Sequence, residues 1–372
     1  MKKKQLILSL VVAAVLIVFA IWAVEKTHFD FAAFRVQLAQ ADWTKIGWAL
    51  ACIYVGYVIR SVRWALLMRH NRRVGVFSLV GTQVIGFTAV ALIGRVADLA
   101  RPYLVAKKTR TPISGQIAVY IVERLSDAGA MALIFSLAVL QISQPVIIKA
   151  IEHSKLLTSL SHLAPLWFVA LIFRFGGIAL TCLGVLFLVI IRFGGGAIAA
   201  MCEAAFGAIS KKFGHAVGEK IRTFQTGLDV IRSFADFAML ASLSIFMWLL
   251  IAGAYQLTML AFVKSPELAS VDPAKTVLLM AVSGGASIVQ LPVLGWFTQI
   301  GIVDAAIHSF LGASLEASTA CAATLLLVTF LGIVPVGLIW AQLQNVSLRG
   351  VAEASEEAGE ELRAHEASDA AQ

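Results

Sequence analysis

The chain reads as apolar runs separated by short polar punctuation. Eight such segments stand out, at about 6–24, 46–68, 77–93, 115–140, 165–191, 237–262, 275–291 and 317–341. Each is near the roughly 20 residues that a helix needs to cross a hydrocarbon layer. None alternates like a barrel strand, and an open sheet edge has no partners in lipid, so helices are predicted throughout. Lys2, Lys3 and Lys4 precede the first run, which exceeds the roughly 7–15 residues of a signal-peptide core and lacks a small-x-small cleavage site. It is expected to be retained as a span that starts in the cytoplasm.

Charge between the runs decides how they are threaded. Eight simple spans would put Lys107, Lys108 and Arg110 outside, along with Lys211, Lys212, Lys220, Arg222 and Arg232, against the positive-inside bias. Letting residues 77–106 enter from the cytoplasm, turn near Gly94 and return as a re-entrant hairpin repairs both placements. The stretch 275–312 reads as a second interrupted element, broken at Gln290-Leu291-Pro292 and irregular through Gly301, and treated as a hairpin entering from outside. Paired interrupted segments point to a transporter site at mid-membrane. The expected fold is therefore an all-α polytopic membrane protein, with about six full spans and two re-entrant hairpins. Its transmembrane domain covers 1–345, and an acidic cytoplasmic tail over 346–372 is expected to be disordered. The segment 192–236 is read as one or two amphipathic helices at the cytoplasmic interface.

Composition agrees with this picture. Of 372 residues 59% are hydrophobic and 14% charged, with a mean hydropathy of +0.86, which suits lipid as the solvent. The net charge of +8 sits in short clusters between apolar runs, a pattern for anionic lipid and not for nucleic acid. Cys52, Cys182, Cys202 and Cys321 form no CxxC pair, and the seven histidines are scattered, so no metal or other cofactor is expected. No HExxH, GxSxG or P-loop occurs, and no enzymatic activity is expected.

The chemistry is sought where charge enters the membrane. Arg95, Asp98 and Arg101 recur at i, i+3 and i+6, within one arc of roughly 120° on a helix. Glu123, Arg124 and Asp127 lie about three turns inside the next span. Ionisable groups at such depth cost several kcal/mol unless paired or wetted. Internal salt bridges that orient the hairpin are one reading. The other keeps an arginine for an anionic head group, since guanidinium matches phosphate with a bidentate fork. Three arginines face three carboxylates, so charge balance does not decide between them. Arg174 either touches a lipid phosphate or pairs inside the bundle, Gln290 and Gln299 are candidate polar contacts in the second hairpin, and Arg60 and Arg63 are expected to snorkel at the end of their span.

Gly94-Arg95…Asp98…Arg101-Pro102, followed by Glu123-Arg124…Asp127, resembles the paired signature of the flippase-like transmembrane domain of lysylphosphatidylglycerol synthases. Ala97-Asp98 stands where Gly-Glu is commoner, which keeps the carboxylate. Gln290-Leu291-Pro292…Gly295…Gln299 resembles the family's second motif in part, with Trp296, Phe297 and Thr298 where glycine is frequent. The resemblance implies movement of a phospholipid or polyprenyl-linked head group across the bacterial cytoplasmic membrane, with both termini cytoplasmic and membrane lipids as partners. About 30 residues follow the last apolar run, so no synthase activity is expected of this chain. The alternative is a non-transporting accessory to envelope-biosynthesis enzymes in a lipid-linked glycan or envelope-lipid pathway.

Overall fold

The computed structural model describes residues 29–69, 72–142, 165–207, 233–286 and 294–347, with scattered positions from 210 to 231 and residue 350. The apolar run at 6–24, Gln290 and the acidic tail beyond 350 lie outside the described residues.

All described elements are helical. α1 (Phe31–Ala39) leads into α2 (Trp43–Met68), and each begins on an aspartate whose side chain accepts from two backbone amides, Asp30 for α1 and Asp42 for α2. These caps satisfy orphan donors at the helix start. The Asp42 carboxyl is held below its ordinary value, first by the Lys45 backbone N–H and then by the Lys45 side chain.

α3 (Val76–Ile93) ends at Gly94, whose φ of 92° and ψ of −167° belong to a region essentially restricted to glycine. A short 3-10 turn, Arg95–Leu99, follows, and α4 (Ala100–Thr109) runs back along α3. Three features tie the two arms. Arg101 donates to Gln83 at 3.2 Å, the Lys108 ammonium donates to the Ser78 carbonyl near the start of α3, and Gly86 lies so close that a β-carbon there would collide with Arg101 Cγ. The chain therefore reverses at Gly94, as its backbone requires.

α5 (Ile113–Gln141) spans about 43 Å at 1.5 Å per residue and carries the second charged cluster at its middle. α6 (Leu166–Gly207) departs from expectation: it continues unbroken through Gly194-Gly195-Gly196, where interfacial helices were expected from residue 192 onward. Apolar residues on both sides of the glycines keep it helical. α7 (Phe234–Leu260) opens on a reciprocal capping box between Ser233 and Asp236.

After the short α8 (Pro266–Ala269), α9 (Pro273–Ala286) and α10 (Leu294–Leu311) pack together, and α10 packs on α11 (Leu315–Thr329). Helix resumes at Leu294, so the stretch through Gly301 is regular where irregular backbone was expected. The last apolar run is also not one straight span. It breaks after Thr329, bends by 42° through a 3-10 turn (Leu331–Ile333), and continues as α12 (Val334–Leu343). Pro335 supplies the reason, because a proline in the second position of α12 has no N–H to bond back across the break. The break is tied to the other half of the fold: Tyr54 donates to Gly332 O at 2.9 Å and Thr88 to Ile333 O at 3.4 Å.

Four described helices are long and apolar enough to cross a membrane, or five if the bent pair counts as one span. α2 lies against α3 and α7, while α5 contacts α4, α6, α7 and α9. This arrangement puts α2, α5 and α7 at the centre, with the α3–α4 hairpin and the α9–α10 pair against them.

Candidate functional site

The centre of the bundle holds a buried ionic network. Glu123 and Asp127, at i and i+4 on α5, are 1% and 5% exposed. They face Arg60 and Arg63, at i and i+3 on α2, so matched helical spacings on adjacent helices bring four charges together. Arg63, fully buried, donates to Asp127 Oδ1 at 2.6 Å and to the Glu123 carbonyl at 3.1 Å. Arg60 Nη1 lies 3.2 Å from Asp127 Oδ2 and 3.6 Å from Glu123 Oε1. Arg101 closes the network from α4, donating to Glu123 Oε2 at 2.9 Å while its guanidinium lies 4.5 Å from the centre of the Phe87 ring.

The two charged motifs of the sequence thus meet, through Arg101 and Glu123. Sequence reasoning misplaced Arg60 and Arg63. They do not snorkel, because α2 continues to Met68 and carries both into the packed interior. The legible signal was their spacing, complementary to Glu123 and Asp127. Gln83, which supports Arg101, had no such signal.

Beside the network lies a cavity of about 270 Å³. Arg60, Asp98, Tyr120 and Arg124 contribute to its wall from the first part of the chain, and Ser283 and Gln299 from the second. Arg124 sits 5.1 Å from the centre of the Tyr120 ring and makes no ion pair among the described residues. Tyr255 donates to Ser283 Oγ at 2.8 Å, and Gln299 Nε2 donates to the same oxygen at 3.2 Å. Trp296 Nε1 donates to Ala91 O at 3.2 Å, tying α10 to α3 beside this space.

Arg174 is not brought to this place. Its guanidinium reaches back to the end of α5 and donates to Leu140 O at 2.8 Å and Ile142 O at 3.5 Å. Last-turn carbonyls lack helical partners, and a cation there also complements the helix dipole, which accounts for a charge in an otherwise apolar span. The Arg95 side chain and Gln290 lie outside the described residues. Asp304 accepts from Ser318 on α11, a helix-to-helix contact outside the cavity wall.

Polar atoms near the network are unequally satisfied. Arg63 Nε, Gln83 Nε2, Arg101 Nη2 and Arg124 Nε are buried donors without a hydrogen-bond partner, against one such acceptor in the network, Glu123 Oε1. Counting every described charge in the network and the cavity wall, four arginines face three carboxylates. The region is thus richer in positive charge and in donors than the motifs alone suggested.

This fold and interior define a class: an all-helical multi-pass membrane domain with a charged centre. The chain belongs to the family described as the lysylphosphatidylglycerol synthase TM region, which matches residues 6–339. No curated protein and no solved structure matched in the corresponding comparisons.

Proposed function

We propose that this protein moves a lipid with a phosphate-containing head group across the bacterial cytoplasmic membrane, the head group passing through the interior cavity while the acyl or prenyl tails stay in the bilayer. One observation carries the reading. A cavity of about 270 Å³ has two arginines in its wall, Arg60 and Arg124, and adjoins unmatched donors in a network with more arginines than carboxylates. A phosphate oxygen is a strong acceptor for guanidinium, so an anionic head group complements this surface better than a neutral or cationic one. Family membership supports a lipid-related role.

The same reading assigns the membrane placement. The α3–α4 hairpin is re-entrant, with the Ser78–Lys108 contact holding both arms at the cytoplasmic face beside Lys107 and Arg110. α9 and α10 form the opposing hairpin, six full spans complete the domain, and both termini are cytoplasmic. Arg60 and Arg124 contact the head-group phosphate directly, Asp98 stands in the wall beside them as a counter-charge, Gln299 contacts the far end of the head group, and Arg101, Glu123 and Asp127 fix the arginines in place. No residue acts as a catalyst.

The test is reconstitution into liposomes containing fluorescent phosphatidylglycerol, read by dithionite quenching. Wild-type protein is expected to expose the inner-leaflet probe, and Arg124→Gln to slow this about tenfold for the loss of one charge-assisted contact. Equal rates for empty, wild-type and Arg124→Gln vesicles would favour the accessory role in an envelope-lipid pathway.

A further inference from the structure

The chain leaves its last described helix at the same end of the molecule where cations without ion pairs collect. We propose that the acidic segment after residue 350 docks on this basic surface, at the open end of the α3–α4 hairpin, within one copy of the chain. The proposal concerns the outside of the protein and stands apart from the transport reading.

The exit of the chain is fixed by how α12 stops. Asn345 takes a left-handed φ of 52°, its N–H bonds to Gln342 O, and the N–H of Val346 bonds to Ala341 O. This is the Schellman arrangement, in which the apolar residue after the left-handed one packs back on the fold. Here Val346 packs against the cluster that holds Ile85 of α3 and Leu104 of α4. Gln344 lies against α3, where a β-carbon on Gly81 would sit 2.6 Å from its Nε2. Gly81 is three residues from Ser78, whose carbonyl accepts from Lys108. The chain therefore departs about one helical turn from the hairpin's open end.

Arg72, Arg73, Lys107, Lys108 and Arg110 surround that end, and all five are exposed. Met68, Val74, Leu79 and Val105 share one apolar cluster, which holds the segment after α2 against both arms of the hairpin. None of the five cations makes an ion pair among the described residues. Their neighbour Arg69 takes Asp236, the only carboxylate of α7. Between residues 69 and 112 the only acid is Asp98, which belongs to the turn of the hairpin and the cavity wall. The helix dipole accounts for Lys107 and Lys108 in the last turn of α4, but not for Arg72 and Arg73.

The segment that follows has the complementary charge. Residues 351–372 carry seven carboxylates against one arginine, and Glu353, Glu356, Glu357, Glu360 and Glu361 fall close together. An extended chain covers about 3.3 Å per residue, so the stretch from Val346 to Glu353 is long enough to reach the basic surface. Exposed ion pairs are individually weak, but a segment tethered this near has an effective concentration of about millimolar. An anionic bilayer surface would repel the same segment, whereas pairing with the protein's own cations satisfies both charges.

The experiment uses the full chain in nanodiscs of phosphatidylcholine and a water-soluble carbodiimide, which joins a carboxylate to an ammonium only in contact. Peptide mass spectrometry is expected to find links from Lys107 or Lys108 to the glutamates at 353–361, falling about fivefold when salt is raised to about 0.5 M. Glu353→Gln, Glu356→Gln, Glu357→Gln, Glu360→Gln and Glu361→Gln together should abolish the links and speed acetylation of Lys107 about threefold. Lys264, exposed at the opposite end of α2, should acetylate at an unchanged rate. Arg72→Gln, Arg73→Gln and Arg110→Gln together leave the reporting lysines in place and should weaken the links. Absence of links, or equal acetylation of Lys107 with and without the glutamates, would overturn the proposal. So would links found only between two copies, which assign the segment to a neighbouring molecule. Links lost when about one third of the lipid is phosphatidylglycerol would assign the basic surface to the bilayer and overturn it as well.

Discussion

Two parts of the interior, the ionic network and the far wall of the cavity beside it, solve the same problem, polar groups inside a membrane protein, in different ways. The part built from α2, α4 and α5 buries full charges and pairs them closely, with Arg63 and Arg101 almost fully buried beside Glu123 and Asp127. The part built from α7, α9 and α10 uses neutral groups, with Tyr255 and Gln299 converging on Ser283. A buried charge that loses its partner is far more costly than a buried hydroxyl that loses one. The first part should therefore be rigid and intolerant of change, and the second able to exchange its partners for those of a ligand.

Substitutions test that contrast. Arg63→Met leaves Asp127 with the longer contact to Arg60 alone and should cost about 3–5 kcal/mol of stability, read as a large fall in melting temperature in detergent. A shift no larger than that of a surface substitution would mean that the network contributes little. Gly94→Ala puts a side chain on a backbone with φ of 92° and should cost about 1–3 kcal/mol in the same assay. Ser283→Ala removes a hydroxyl that serves two partners and is expected to cost only about 1 kcal/mol in the absence of lipid. If it destabilises as much as Arg63→Met, the two parts do not differ in the way described. The smallest effect concerns pH. Because the folded Asp42 carboxyl titrates below its ordinary value of 3.8, its contribution to stability is present above that value and fades as the pH falls below it. Melting curves of wild type and Asp42→Asn should therefore diverge at neutral pH and converge in acid.

Hydropathy made the helices at 46–68, 77–93, 115–140 and 237–262 legible within a few residues, because a helix in lipid leaves a long apolar record. The charge motifs at 95–101 and 123–127 were legible for the converse reason, since charge is rare in such runs. Arg60 and Arg63 were misread because distance from a run's end is a poor guide to depth. Their partners sit 60 or more residues away, and only tertiary packing connects them. Arg174 was ambiguous because the carbonyls it satisfies belong to another helix. The break at Phe330 was missed because mean hydropathy stays high across it, and only Pro335 marks the place.

That break sets an energy scale for motion. Thr329 and Phe330 form part of the cavity wall, and two hydroxyls from α2 and α3 latch the Gly332 and Ile333 carbonyls just beyond them. Straightening or deepening the 42° bend would exchange those latches, at about 1 kcal/mol each and so only a few times thermal energy in all. On the transport reading proposed above, this hydrogen-bond part of the cost is within reach of thermal fluctuation, and the buried packing of Val328 and Ile333 sets the rest. On that reading, any bias in the direction of passage has to act on the cargo or its gradient.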